Sequence, residues 1–565
     1  MQDSSNFTVY NASAGSGKTF KLAERYLTLL LSSSKPNSFQ NILAITFTNK
    51  AVGEMKSRIL DYLTYFVKEK KNLENDTMFQ LVKRNTKLSS EQIQKKSFFI
   101  LKEILDNYAA FEISTIDAFT HRIIRTFAKD LGLSMNFDIE MDTKQILQMA
   151  VERLVNQAGT NQQLTEILID FALEKVNDDK SGDISRDIFE ASTLLLSEKD
   201  EFYINSLTDF NLKDFKTLKT KLKAEIESIS RQLQLIGVEF LQKMEEKGLN
   251  FKDFNRGSIP KFFEKLSIDH HLLTFDAKWQ LQIEDEETYV TKKLNERTKQ
   301  VVFSMKDFVV EHFHLSKNLY SSRKFYEKVL KNITQLSLLS AVKEEMESIK
   351  KEQNVMLISD FNKKISDEIK KQPAPFIFER LGEKFHHYFI DEFQDTSRMQ
   401  WSNLIPLTGN ALATLFDEEL PGTLTLVGDA KQSIYAWRGG DAHQFMELSS
   451  GNSPFPSAPT LETLGTNFRS SREIVAFNND FFEYIGKELN NETLRNLYSG
   501  NSLIQNPHHQ SSGYVSLKFL NAENNDERDK IYPEEVLTFL QAIKSQGDHL
   551  SDICILVRKK SEGIA

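Results

Sequence analysis

FIDEFQDTS, Phe389 to Ser397, decides the fold when it is read against ASAGSGKT, Ala12 to Thr19, near the opposite end of the chain. An apolar run ending in adjacent carboxylates, Asp391 and Glu392, describes a buried strand that delivers acid to its C-terminal tip, where ligands bind in open α/β sheets. Alone, such a pair reads equally well as a solvated turn. The upstream stretch decides between the two. A loop of Ala12, Ser13, Ala14, Gly15, Ser16 and Gly17 leaves backbone N–H groups free to point inward, and a following helix N-terminus adds partial positive charge. Lys18 would then reach the β- and γ-phosphates of a nucleoside triphosphate and the Thr19 hydroxyl would bind Mg²⁺. Asp391 would hold the same ion through its water shell, and Glu392 would orient and deprotonate the attacking water. Because the two motifs lie most of the chain apart, a large segment must be inserted within one nucleotide-binding domain.

The flanking pattern agrees. FTVYN (Phe7 to Asn11) reads as a buried strand before the loop, and FKLAERYLTLLL (Phe20 to Leu31) has helical spacing after it. NILAITF (Asn41 to Phe47) suits a central parallel strand, with a helix from about Asn49. FEISTIDAF (Phe111 to Phe119) reads as a third strand with its exit turn, and KFHHYFIDE (Lys384 to Glu392) and TLTLVGDA (Thr423 to Ala430) as further ones. The fold class predicted is α/β, a RecA-like parallel sheet covered on both faces. Residues 1–133 and 356–454 would form the first such domain.

Residues 134–355 carry a helical pattern instead. Met141 to Gln157 places Ile146, Met149, Ala150 and Leu154 on one face. Phe215, Leu218, Leu222, Ile226, Ile229 and Leu233 follow a near-coiled-coil spacing, short enough to predict a helical hairpin packed on its own domain. Residues 455–565 would open a second RecA-like unit, with Tyr514 to Leu520 and Asp552 to Lys559 as strands. The pattern predicts that this unit is cut short at Ala565.

At 565 residues the chain should hold about three or four domains. Its one cysteine, Cys554, excludes an internal disulfide framework and a cysteine-cluster metal site. No charged-then-apolar leader precedes FTVYN and no apolar run has membrane-spanning length, so a cytoplasmic protein with no membrane partner is expected. A net charge of −9 argues weakly against nucleic acid, since binding needs only a local positive groove. Basic runs such as Lys68 to Lys71 and Lys363–Lys364 read as solvated helix faces.

GDAKQSIYAWRGGD (Gly428 to Asp441) is the remaining element. Gln432, at a strand exit, is placed to sense a γ-phosphate. Tyr435, Trp437 and Arg438 follow it with ring faces and a cation, which suits stacking on single-stranded bases. Taken alone, Trp437 reads more readily as a core anchor.

ASAGSGKT, TFTNKA (Thr46 to Ala51), STIDAF (Ser114 to Phe119), DEFQDTS, GDAKQSIYAWRG and NFRSS (Asn467 to Ser471), in that order, resemble the motifs of the superfamily 1A helicases, the UvrD/Rep-like group. Without an upstream glutamine motif, the N-terminus looks most like the RecB and AddA subunits of helicase–nucleases. The resemblance implies an ATP- and Mg²⁺-dependent 3′-to-5′ translocase on single-stranded and duplex-end DNA, working in repair or recombination, and an AddB/RecC-like partner subunit. By it, Phe47, Asn49, Thr115, Tyr435, Trp437 and Arg438 would contact DNA, and Gln432 would couple them to the γ-phosphate. Arg469 would reach the γ-phosphate from the second unit, and the helical insertion would be subdomain 1B. The alternatives it leaves open are the helicase half of a helicase–nuclease, with its exonuclease domain past Ala565, and a DNA-binding subunit that does not translocate. The chain departs from the pattern at Ala12, where the usual loop glycine stands, at Phe20, where UvrD has arginine, and at Asp117, where relatives often carry histidine.

Overall fold

The computed structural model describes residues 6–69, 72–129, 137–140, 142–177, 182–207, 210–268, 273–291, 294–371, 381–416, 420–499 and 503–564. The expected boundary at Leu133 lies outside them.

Six parallel strands form the central sheet: β1 (Phe7–Ala12), β2 (Ile42–Thr46), β3 (Ile113–Thr115), β6 (His387–Ile390), β7 (Thr423–Gly428) and β8 (Thr460–Leu464). Their spatial order is β3-β2-β6-β7-β1-β8. The inner strands are apolar almost throughout because both sheet faces are covered. Phe7, Val9, Leu43, Ile45, Tyr388, Ile390, Leu424 and Leu426 point to one core, which Ile123, Trp401 and Phe445 complete. Their neighbours Tyr10, Ala44, Phe389 and Val427 point to the other, against Leu22 and Tyr26 of α1 (Lys18–Ser32) and Ile59 of α2 (Asn49–Lys68). Alternation with a period of two thus sorts the apolar run between two layers of helix. The third strand is shorter than its sequence suggested: Thr115 caps a helix over Ile116–Thr126 by accepting from the Ala118 N–H, so the chain turns helical at Ile116.

The insertion is framed by a parallel pair, β4 (Asp138–Glu140) and β5 (Val355–Leu357). Between them a 35-residue helix, Leu212–Glu246, packs antiparallel on a 48-residue helix, Lys306–Gln353. Phe215 and Leu222 meet Ile333, while Ile229, Leu233 and Phe240 share a core with Val309 and Phe313. The predicted seam does pack on a helical partner, but that partner is not the next helix: further short helices lie between the two, and Leu218 of the predicted seam is exposed. Leu338, Val342 and Ile349 of the longer helix bury Ile146, Ala150 and Leu154 of the helix Thr143–Asn156.

Two expectations for the C-terminal residues need correction. β8 joins the first sheet beside β1, so that sheet continues past residue 454. Beyond it only β9 (Thr466–Ser471) and β10 (Asn506–His509) pair among the described residues, in parallel, with the helix Arg472–Glu488 crossing between them. Neither Tyr514 to Leu520 nor Asp552 to Lys559 joins a strand ladder. Phe519 is 93% exposed and Leu556 90%, so the alternating apolar residues that suggested strands meet no second layer. The pattern recorded strand propensity, and a strand also needs a neighbour to pair with.

Candidate functional site

β6, β7 and β1 are adjacent and parallel, so the segments leaving their C-terminal ends converge. From β1 comes the glycine-rich loop. Gly15 (φ +77°) and Gly17 (φ +84°) are left-handed, and a Cβ on Gly15 would stand 2.7 Å from the Asn467 Oδ1. Ser16 N–H closes the turn on the Ser13 carbonyl at 3.1 Å, and Gly17 caps α1. Lys18 and Thr19 therefore stand at the start of that helix.

From β6 come Asp391 and Glu392. Glu392 is itself left-handed (φ +51°), a conformation that costs a non-glycine residue about 1–3 kcal/mol and is typical of functional sites. Its carboxylate takes the Lys18 Nζ at 2.9 and 3.0 Å. Gln394 Nε2 donates to Glu392 Oε2 at 2.7 Å, while Gln394 Oε1 accepts from the Asp429 N–H at 2.9 Å. Asp429, at the end of β7, accepts from Gln432 Nε2 at 2.7 Å, and Lys18 Nζ returns to Gln432 Oε1 at 3.3 Å. The ring Lys18–Glu392–Gln394–Asp429–Gln432 is closed. Burial pushes the Asp391 carboxyl up to about 7, with Glu392 adding in the same sense and Lys18 opposing.

Past Gln432 the chain forms a surface platform. The Phe47 ring, at the end of β2, lies 4.4 Å from that of Tyr435, and the Tyr435 and Trp437 centroids are 6.3 Å apart. Arg438 Cζ stands 5.5 Å over Phe47 and 5.9 Å over Trp437, close enough for cation–π attraction. Asp395 ties this loop to the acidic motif by accepting from the Ile434 and Tyr435 N–H groups, and burial raises its carboxyl to about 6. Trp437 is 79% exposed, so it is not the core anchor that its residue type alone suggested.

The family described as UvrD/REP helicase N-terminal domain matches residues 3–452. The chain belongs to that family. It is 26% identical over 536 aligned positions to an ATP-dependent helicase/nuclease subunit of Lactobacillus gasseri, covering 86% of this chain and 39% of that protein. It is 27% identical over 524 positions to the protein of the same description in Lactobacillus johnsonii (84% and 38%) and 25% identical over 603 to that of Lactococcus lactis subsp. lactis (98% and 46%). The chain therefore spans less than half the length of these curated relatives.

Within this UvrD/REP-type chain the other predicted residues are placed as follows. Asn49 is exposed at the first turn of α2, and Thr115 ends β3 with its hydroxyl spent on a helix cap. Arg469 is exposed on β9, and its guanidinium makes no ion pair among the described residues. Its backbone N–H is held by Asn467 Oδ1 at 2.9 Å. Asn467 is one of several site residues that the motifs did not single out. Its Nδ2 and the Gln505 Nε2 both donate to the Ala14 carbonyl, at 3.3 and 3.0 Å, and the Phe468 N–H donates to the Gly15 carbonyl at 2.8 Å. β9 thus docks directly on the glycine-rich loop, with the half-exposed Phe468 ring beside Gly17. Glu198, from the insertion, is another: it accepts from the Met399 N–H at 2.8 Å at the start of the helix Arg398–Ala413. No local pattern could have revealed Gln505 or Glu198, whose partners are distant in sequence. Gln394 and Asp429 stood inside quoted motifs, and only the strand order shows that they touch.

The residues present fit a nucleoside triphosphate with Mg²⁺. The loop has its two left-handed glycines, Ser16 Oγ is buried without a partner, and two oxygen donors stand on the same edge of the sheet, Thr19 in the first turn of α1 after β1 and Asp391 at the end of β6. Among the described residues no group of three or more His, Cys, Asp or Glu could hold a metal by itself, and no helix is long and apolar enough to cross a membrane. Mg²⁺ commonly binds through one or two protein oxygens together with substrate phosphates.

Proposed function

We propose that this chain is the ATP-hydrolysing motor of a DNA helicase that moves 3′-to-5′ on single-stranded DNA in repair or recombination. The observation that carries the reading is the closed ring at Lys18, Glu392 and Gln432, whose last member lies three residues from the exposed platform at Tyr435. A nucleotide pocket and a base-stacking surface on one short segment suit a machine that converts the state of one into the grip of the other. In this reading residues 1–133 and 356–464 form the first RecA-like domain, whose sheet includes β8, 134–355 subdomain 1B, and the residues after β8 belong to the second RecA-like domain.

ATP with Mg²⁺ would supply the scissile phosphoanhydride and the charge neutralisation for its cleavage, held by Thr19 and Asp391. Phosphate oxygens on the loop compete with Glu392 for the Lys18 ammonium. Glu392, freed from that pair, accepts a proton from the attacking water at its carboxylate. Gln432 would exchange its Lys18 contact for the γ-phosphate and so shift the Tyr435–Arg438 loop. Arg469, exposed on the strand β9 that docks on the loop, would reach the γ-phosphate in the manner of an arginine finger supplied in cis. Phe468, half-exposed beside Gly17, would offer its ring face to the base.

Names of the relatives include a nuclease, which favours a second, wider reading: this chain as the motor part of a helicase–nuclease that takes duplex DNA ends together with an AddB/RecC-like partner. Steady-state ATP hydrolysis with and without single-stranded DNA tests the motor, and forked duplexes with 3′ or 5′ tails test polarity. Hydrolysis in wild type that is indifferent to Glu392→Gln would overturn the first reading.

A further inference from the structure

Asp117 is the residue of the third motif that fits a DNA surface least, since a carboxylate repels phosphates. Its surroundings give it another use. Asp117 Oδ2 lies 3.6 Å from Arg438 Nη2. On its other side Asp117 Oδ1 accepts from Gln400 Nε2 at 3.2 Å. Gln400 is not free to turn, because its Oε1 accepts from the Ser397 N–H at 2.9 Å in the capping box that starts the helix Arg398–Ala413. The amide must therefore present its N–H₂ to Asp117. Asp117 also sits in the first turn of its own helix, Ile116–Thr126, where negative charge is favoured. The carboxylate is thus fixed from two helices and aimed at a guanidinium that spans the Phe47 and Trp437 rings.

We propose that Asp117 is a positioning residue for single-stranded DNA binding: it holds the Arg438 guanidinium over the two rings, so that cation and rings meet the strand as one preformed surface. The inference rests on the reading of Phe47, Tyr435, Trp437 and Arg438 as the DNA platform. Its consequence has the opposite sign to simple electrostatics. Deleting a carboxylate beside a phosphate chain should tighten binding, whereas losing the clamp lets a long side chain sample many rotamers and weakens it.

The test is fluorescence anisotropy of a labelled oligothymidylate with the 565-residue chain and its variants, without nucleotide. Asp117→Asn, which keeps an acceptor for Gln400, should weaken affinity by about 3- to 10-fold, a typical span for an oriented charge pair. Asp117→Glu keeps the charge and should restore part of the loss. In an Arg438→Ala background, Asp117→Asn should weaken nothing further. Asp117→Asn binding as tightly as the parent, or tighter, while Trp437→Ala and Arg438→Ala bind more weakly, overturns the positioning role alone. If Trp437→Ala and Arg438→Ala also leave affinity unchanged, the platform reading falls with it.

Discussion

The two ends of one sheet edge are built on opposite plans. At β6, β7 and β1 the side chains already hold one another: Lys18 holds Glu392 and Gln432, and Gln394 and Asp429 complete the circuit. Beside the end of β2 the side chains stand at the surface, with Trp437 79% exposed, Arg438 exposed and the half-buried Phe47 and Tyr435 rings next to them. A ligand at the first place must displace existing contacts, so its arrival changes the protein. A ligand at the second place adds contacts to a surface that already stands. The difference suits a motor in which nucleotide drives and DNA is gripped, with the segment from Asp429 to Arg438 belonging to both ends.

The comparison breaks most visibly at Glu392, the proposed general base. Glu392→Gln should leave ATP bound and slow hydrolysis by about 10²-fold or more, the scale of a lost general base. Lys18→Ala should weaken binding and turnover together, because the ammonium proposed to receive the phosphates is gone. Equilibrium nucleotide binding and steady-state hydrolysis on both variants separate the two effects. Equal turnover in Glu392→Gln and the parent would remove Glu392 from the mechanism.

At the other end the expected effect is smaller and falls on DNA alone. Trp437→Ala and Phe47→Ala should each weaken single-strand affinity by about 1–3 kcal/mol. Melting temperature should move little for Trp437→Ala, since the ring is exposed. A Trp437→Ala chain that loses its fold would make the ring a structural anchor, and one that binds DNA as the parent does would make the platform an ordinary surface.

The contrast also explains what the sequence could disclose. The convergence of Lys18, Glu392 and Gln432 was legible because the apolar runs of β1, β6 and β7 located the strand ends from which their segments leave, while their roles toward a phosphate remain the proposal. That Phe215, Leu222, Ile229 and Leu233 share one packed helix face was legible from spacing; the partner helix Lys306–Gln353 was not. Trp437 was harder, because an aromatic ring serves a core or a surface equally well and only burial distinguishes them. Glu198 and Gln505 were invisible, since each acts through a hydrogen bond to backbone far away in the chain. The strands expected in Tyr514 to Leu520 and Asp552 to Lys559 failed for a related reason: propensity is local and pairing is not.

Glu198 offers a milder test, between the insertion and the motor. It caps the helix that follows the acidic motif and lies against the Gly439 turn of the platform loop. Glu198→Ala should cost about 1 kcal/mol of stability, the usual value of a lost helix cap, seen as a lower melting temperature. Nucleotide affinity should be unchanged, because the ring around Lys18 does not include it. A loss of ATP binding in this variant would mean that the insertion controls the nucleotide end, and the two ends would be less independent than their geometry suggests.

The smallest effect is expected at the opposite tip of β6, away from both ligands. His387 lies in the strand beside Thr423, its Nδ1 3.0 Å from the threonine hydroxyl oxygen. Burial, reinforced by neighbouring His386, lowers its pKa to about 4. An unfolded histidine titrates near about 6.5, so as pH falls the unfolded chain takes up a proton that the folded chain refuses. This residue therefore has no cost above about pH 6.5 and destabilises the fold progressively between about 6.5 and 4. His387→Gln keeps a polar partner for Thr423 and removes the titration. Its melting temperature should fall less steeply than the parent's from about pH 7 to about pH 5, while ATP hydrolysis at about pH 7 stays the same. Parallel melting curves would show that His387 is protonated inside the fold. A change in hydrolysis at neutral pH would show instead that the base of β6 is not a passive frame, and that the chemistry at its tip depends on the whole strand.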